Sequence, residues 1–258
     1  MEFLIQVFGG LTVFSELTKM LPNEDMIYLG DTKQFPYGSK SRDTIIEISK
    51  KNIEFLIKND VKAVVIACGT ATSQALDEMN KIFDIPIIGI IEPTVLCLKQ
   101  EKVHKIGVIA TTGTIRSKAW EEKIKNNIEN VEVINKACPL LAQMAEEGWT
   151  QNEIAKLVIS EYVSIFKENP VEKLILGCTH YPLFLKLIED ELGNNTQIID
   201  TGKNVATYLN KYIKEKEIQN EKDNKPDYKF YLTDLESNFL KAAQNILKNN
   251  QTFQKVLI

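Results

Sequence analysis

The chain has 258 residues, of which 44% are hydrophobic and 26% charged, enough for a sizeable core in one large domain or two small ones. A formal charge of -4 and a pI of about 5.5, with both signs spread along the length, give no concentrated basic face and argue against a nucleic-acid partner. No apolar run approaches the roughly 18 residues of a membrane span, the opening MEFLIQVFGG does not read as a secretory signal, and the four cysteines lack zinc-knuckle or CxxC spacing.

The expectation is therefore a cytoplasmic protein with free thiols, no membrane partner and no metal. Along the chain, short β-rich runs fall at residues 3–8 (FLIQVF), 26–30 (MIYLG), 63–68 (AVVIAC), 86–91 (PIIGII), 105–111 (KIGVIAT), 131–137 (VEVINKA), 173–178 (KLILGC) and 196–200 (TQIID). Most are continuously apolar, as strands covered on both faces by helices should be. Helical patterns lie between them: SRDTIIEISKKNIEFLIKND from residue 41, IRSKAWEEKIKNNI from 115, NEIAKLVISEYVSIFKEN from 152 and PLFLKLIEDEL from 182. This alternation predicts an α/β fold with largely parallel sheets.

EPTVLC at 92–97 reads as a crossing between two units, because Pro93 interrupts the run after the fourth strand. KEIQNEKDNKPD at 216–227 reads as a surface loop, YKFYLTD as one more strand and LESNFLKAAQNILKN as a terminal helix. The halves are loosely alike: VVIACGTATSQAL in the first and LILGCTHYPLFLKL in the second each carry an apolar strand into a cysteine and then a helix.

In open α/β sheets, ligands bind beyond the carboxyl ends of the strands, where helix N-termini present free N–H groups. Cys68 and Cys178 both fall there, and a thiolate at such a place is stabilised, its pKa lowered toward neutrality. His180, two residues beyond Cys178, could exchange a proton with a group in the cleft. Packing and chemistry both remain open for this pair, since free cysteine is also a common core residue. Cys97 and Cys138 read as packing residues, and His104 as a solvated residue before a strand.

Taken together, GGLTV (9–13), IYLGDTKQFPYGSKS (27–41), ACGTATS (67–73), GVIATTGTIRS (107–117), ACPLLAQMAEEG (137–148) and LGCTHYPL (176–183) resemble the glutamate racemases of the aspartate/glutamate racemase superfamily. The resemblance implies two pseudo-symmetric α/β domains, residues 1–93 plus 206–258 and residues 94–205, with the active site in the cleft between them. It implies interconversion of L- and D-glutamate, supplying D-glutamate for peptidoglycan, with a small-molecule amino acid as substrate, no cofactor, and often a homodimer. Cys68 and Cys178 match the family's two catalytic thiols, assisted by His180 and Glu146. Pro36, Tyr37, Gly38, Ser39, Gly69, Thr70, Thr111, Thr114, Thr179 and His180 match its substrate-binding positions.

Two departures stand against this pattern. The family's FDSGVGGLTV is here VFGGLTV, so a DSGV segment with an aspartate and a serine is absent between Phe8 and Gly9, and the family's CNTA is here CGTA, with Gly69 in place of asparagine. Both fall on the Cys68 side. They leave a weakened or inactive homologue that binds an acidic ligand or partner, and a racemase of another specificity, as alternative readings.

Overall fold

A computed structural model describes residues 2–6, 10–220, 225–235, 237–247 and 251–258, with the side chains of 2–6 and a few in the last helix left aside. The first half contains β1 (Glu2–Gln6), α1 (Gly10–Met20), β2 (Asp25–Gly30), α2 (Arg42–Ile57), β3 (Val61–Ile66), α3 (Gly69–Ile82), β4 (Ile87–Gly89) and α4 (Ile91–Leu98). The second contains β5 (Lys105–Ala110), α5 (Thr112–Ser117), α6 (Ala119–Asn127), β6 (Glu132–Ala137), α7 (Pro139–Glu146), α8 (Glu153–Glu168), β7 (Lys173–Leu176), α9 (Leu185–Leu192) and β8 (Gln197–Asp200). The chain closes with α10 (Thr201–Glu215), β9 (Tyr228–Leu232), α11 (Ser237–Leu247) and β10 (Phe253–Lys255).

The strands form two sheets, ordered β10-β9-β2-β1-β3-β4 and β6-β5-β7-β8, and every described pairing is parallel. The segment β2-β1-β3-β4 has the same order as β6-β5-β7-β8, so the molecule consists of two pseudo-symmetric α/β units, as expected. β3 and β7 are equivalent strands, and each delivers a cysteine.

Local chemistry accounts for the helices. Ser41 caps α2 by accepting from the Thr44 amide, and Ile45, Ile48, Ile53 and Leu56 bury one face of it. Asn152 caps α8 in the same way through the Ala155 amide, with Ala155, Ile159, Val163 and Phe166 inward. Asp200 caps α10 through Gly202, and α10 lays Val205, Ala206, Leu209 and Ile213 against α1 and its neighbours. One apolar layer is shared by both sheets: Tyr28, Val65 and Phe230 of the first join Ile106, Val108 and Ile175 of the second, with helices α1, α4, α6 and α10 contributing. Separate cores cover the outer faces, under α2 and α3 in the first unit and under α7, α8 and α9 in the second.

Several expectations need correction. Residues 92–97 do lie between the two sheets, but Pro93 marks no interruption there; it lies in the first turn of α4, where its missing N–H has no helical partner to lose. IRSKAWEEKIKNNI is not one helix, because Lys118 adopts a left-handed conformation at φ 60 and separates α5 from α6. PLFLKLIEDEL begins as a 3-10 turn over Tyr181–Phe184 and becomes α-helical only at Leu185. Cys97 is exposed rather than packed, whereas Cys138 is buried as expected. Residues 7–9, where the DSGV segment is absent, lie outside the described residues.

Candidate active site

The carboxyl ends of β2, β3, β5 and β7 surround a cavity of about 640 Å³. Cys68 enters it from the first unit as the residue capping α3, and Cys178 from the second. Of the sequence-identified positions, Pro36, Tyr37, Gly38, Ser39, Gly69, Thr70, Thr111, Thr179 and His180 line it as well. Thr114 and Glu146 do not; each stands behind a lining residue and bonds to it.

On the Cys178 side the polar groups form a chain. Cys178 Sγ lies 3.7 Å from His180 Nδ1, and His180 Nε2 lies 2.8 Å from Glu146 Oε1. The imidazole is buried, and the ring of Phe35 packs on it with centroids 5.5 Å apart. If His180 carries its proton on Nε2, it donates to Glu146 and turns an unprotonated Nδ1 toward the thiol. Thr12 Oγ1 donates to the Thr179 carbonyl at 3.1 Å, fixing the turn from the other unit.

The Cys68 side is built differently. Three hydroxyls converge beside it: Thr70 Oγ1 lies 2.8 Å from Thr111 Oγ1 and 3.3 Å from Thr114 Oγ1, and the last two are 3.0 Å apart. Three hydroxyls can exchange donors among themselves and still turn one O–H toward an incoming oxygen. Gly69 has no space for a side chain, since a Cβ there would stand 2.1 Å from the Gly177 carbonyl oxygen. The backbones of the two cysteine-bearing loops are thus in contact across the cleft.

The expected lowering of the thiol pKa does not occur. Burial pushes Cys178 well up, against an opposing backbone hydrogen bond at His180. Burial also raises Cys68, with the Ala71 and Thr70 amides and the Thr70 hydroxyl pulling the other way. The helix terminus acts as anticipated, but loss of hydration outweighs it, because desolvation penalises the thiolate more than two or three donors restore. Burial therefore favours the neutral thiol over the thiolate at both sulfurs.

The sequence reading missed the group that holds the loop at residues 36–39. Tyr37 Oη donates to Asp31 Oδ2 at 2.6 Å, Thr233 Oγ1 donates to Asp31 Oδ1 at 2.8 Å, and Asn52 Nδ2 reaches the Tyr37 hydroxyl at 3.2 Å. Asp31 directly follows β2, the same strand-end position that singled out the cysteines, so the carboxyl-end rule alone could have found it. No group of three or more metal-ligating side chains is assembled among the described residues, nor is any described helix long and apolar enough to cross a membrane.

The family model "Asp/Glu/Hydantoin racemase" matches residues 9–209. The chain is 38% identical over 240 residues to a glutamate racemase of Geobacter metallireducens, covering 93% of this chain and 89% of that one. It is 39% identical over 250 residues to a glutamate racemase of Sulfurihydrogenibium sp., covering 96% and 93%. The crystal structure of the Francisella tularensis glutamate racemase in complex with D-glutamate superposes with a TM-score of 0.93 at 36% identity, over 99% of this chain and 97% of that one.

Proposed function

The chain belongs to the Asp/Glu/hydantoin racemase family, and from that premise we propose that it interconverts L- and D-glutamate without a cofactor, by proton transfer between two cysteines. The observation that carries this reading is the pair of cysteines at equivalent strand ends, one from each unit, facing one cavity. Inversion needs two acid/base groups, since a single base returning its own proton tends to restore the starting configuration.

The roles follow from the surroundings of each sulfur. A neutral thiol is ready to act as an acid; the base must first lose its proton. For Cys178 the acceptor is His180 Nδ1, with Glu146 stabilising the imidazolium that results. The Cys68 thiolate forms when Cys68 gives its proton to the carbanion, leaving the α-proton on Cys178, and the Ala71 and Thr70 amides and the Thr70 hydroxyl stabilise it as the base of the reverse direction. In one direction Cys178 removes the α-proton and Cys68 protonates the opposite face; in the other direction the roles exchange. The carbanion's charge spreads onto the α-carboxylate, and Thr70, Thr111 and the first amides of α3 are placed to hold those oxygens. Tyr37, Gly38 and Ser39, with Thr179 on the opposite wall, bind the remaining polar groups of the substrate.

The experiment is solvent deuterium exchange at the α-carbon with each enantiomer of glutamate. Wild type exchanges and racemises; Cys68→Ala and Cys178→Ala each lose racemisation by at least about 10³-fold. A folded wild-type protein that exchanges neither enantiomer overturns the reading. If such a protein is nevertheless stabilised by glutamate, the alternative of an acidic-ligand-binding homologue without turnover takes its place.

A further inference from the structure

The cavity lining includes the cations Lys40, Arg42 and Arg116 and, among the described residues, no aspartate or glutamate. Arg42 reaches Glu78 Oε1 at 3.3 Å, but neither Lys40 nor Arg116 joins an ion pair with a described residue. Elsewhere on this acidic chain, lysines are repeatedly matched with carboxylates, as at Lys51–Glu47, Lys123–Glu92 and Lys125–Glu121.

The two unmatched cations sit on segments tied together. The Gly113 amide donates to the Gly38 carbonyl at 3.0 Å, joining the Tyr37–Gly38–Ser39 loop to α5. Lys40 follows Gly38 by two residues and is held by its own amide donating to the Tyr37 carbonyl at 3.0 Å. Arg116 lies about one turn along α5 from Gly113. Two positive charges are thereby kept at one cavity whose low-dielectric walls concentrate their field, an arrangement relieved by an entering anion.

We propose that Lys40 and Arg116 form a cationic lip that captures the dicarboxylate substrate at the encounter stage and favours an acidic amino acid over a neutral one. This rests on the function proposed above. The lip acts before the chemistry, so its loss changes capture and leaves the proton transfers intact.

The test measures kcat/KM for racemisation and calorimetric binding of glutamate over ionic strengths from about 0.02 to 0.5 M, where the screening length shrinks from well over 10 Å to a few Å. In wild type both kcat/KM and affinity fall several-fold as salt rises. In Lys40→Gln/Arg116→Gln, KM rises about tenfold at low salt, the salt dependence flattens, and kcat stays within about twofold. Arg116→Lys keeps the salt dependence, and Lys211→Gln, an exposed site on α10, leaves it unchanged. An unaltered salt dependence in the double variant, or a loss confined to kcat, overturns the lip. Salt-dependent binding without turnover in wild type keeps the lip and removes the racemase reading; turnover with no salt effect does the reverse, and the absence of both overturns both.

Discussion

Position 69 is where a single atom decides most. The Gly177 carbonyl oxygen occupies the space that a side chain would need, 2.1 Å from where the Cβ would stand, and neither partner is a flexible tip that could swing aside. Gly69→Asn, which would recreate the CNTA string, is therefore expected to lower stability by about 1–3 kcal/mol through overpacking and to reduce racemisation rather than raise it. Denaturant midpoints and racemisation rates of Gly69→Asn and Gly69→Ala check this; equal stability with raised activity would show that the loops part easily. At this scale the two cysteines and His180 were legible because scarce residue types fall at matching strand ends, whereas the loop at residues 36–39 was read from the family resemblance alone. Asn52 and Thr233 were not, since Thr233 meets Asp31 only because β9 returns beside β2, and Asn52 meets Tyr37 only through the packing of α2, contacts no local pattern announces.

Helix and strand boundaries show the same division between local and long-range information. The continuously apolar strands were legible because burial on both faces leaves no alternation to confuse. β10 was missed: it is three residues long, lies at the edge of its sheet and carries the polar sequence FQK. The break between α5 and α6 was missed because the apolar spacing through Ile115, Trp120 and Ile124 continues across it, while the interruption is a backbone rotation at a lysine. A left-handed conformation costs a residue with a Cβ about 1–2 kcal/mol, so Lys118→Gly should stabilise the protein by about 0.5–1 kcal/mol. Lys118→Ala should not share that gain. Thermal or urea unfolding of the pair checks the claim, and equal effects from both would locate the gain in the lost charge instead.

Across the whole molecule, buried ionisable groups set the alkaline limit. Burial raises Cys68, Cys178 and Cys138, the last to about 12, whereas an unfolded thiol titrates near about 8.5. The folded state thus holds these protons more tightly than the unfolded state. Their contribution to stability is complete below about pH 8.5 and is lost as pH rises toward the folded values, at up to about 1.4 kcal/mol per thiol per pH unit. Urea midpoints should fall steadily between pH 8 and 10, and Cys138→Ala should lessen the slope; a flat profile would contradict it. Tyr28, Tyr37 and Tyr181, also raised by burial, extend the decline at higher pH. The apolar layer common to both sheets has a different consequence. A protein severed at the α4 crossing would present a bare greasy wall on either fragment, and neither would stand as an autonomous folding unit. The two halves of the catalytic apparatus consequently melt as one cooperative body, so the opposed sulfurs cannot outlast each other's support.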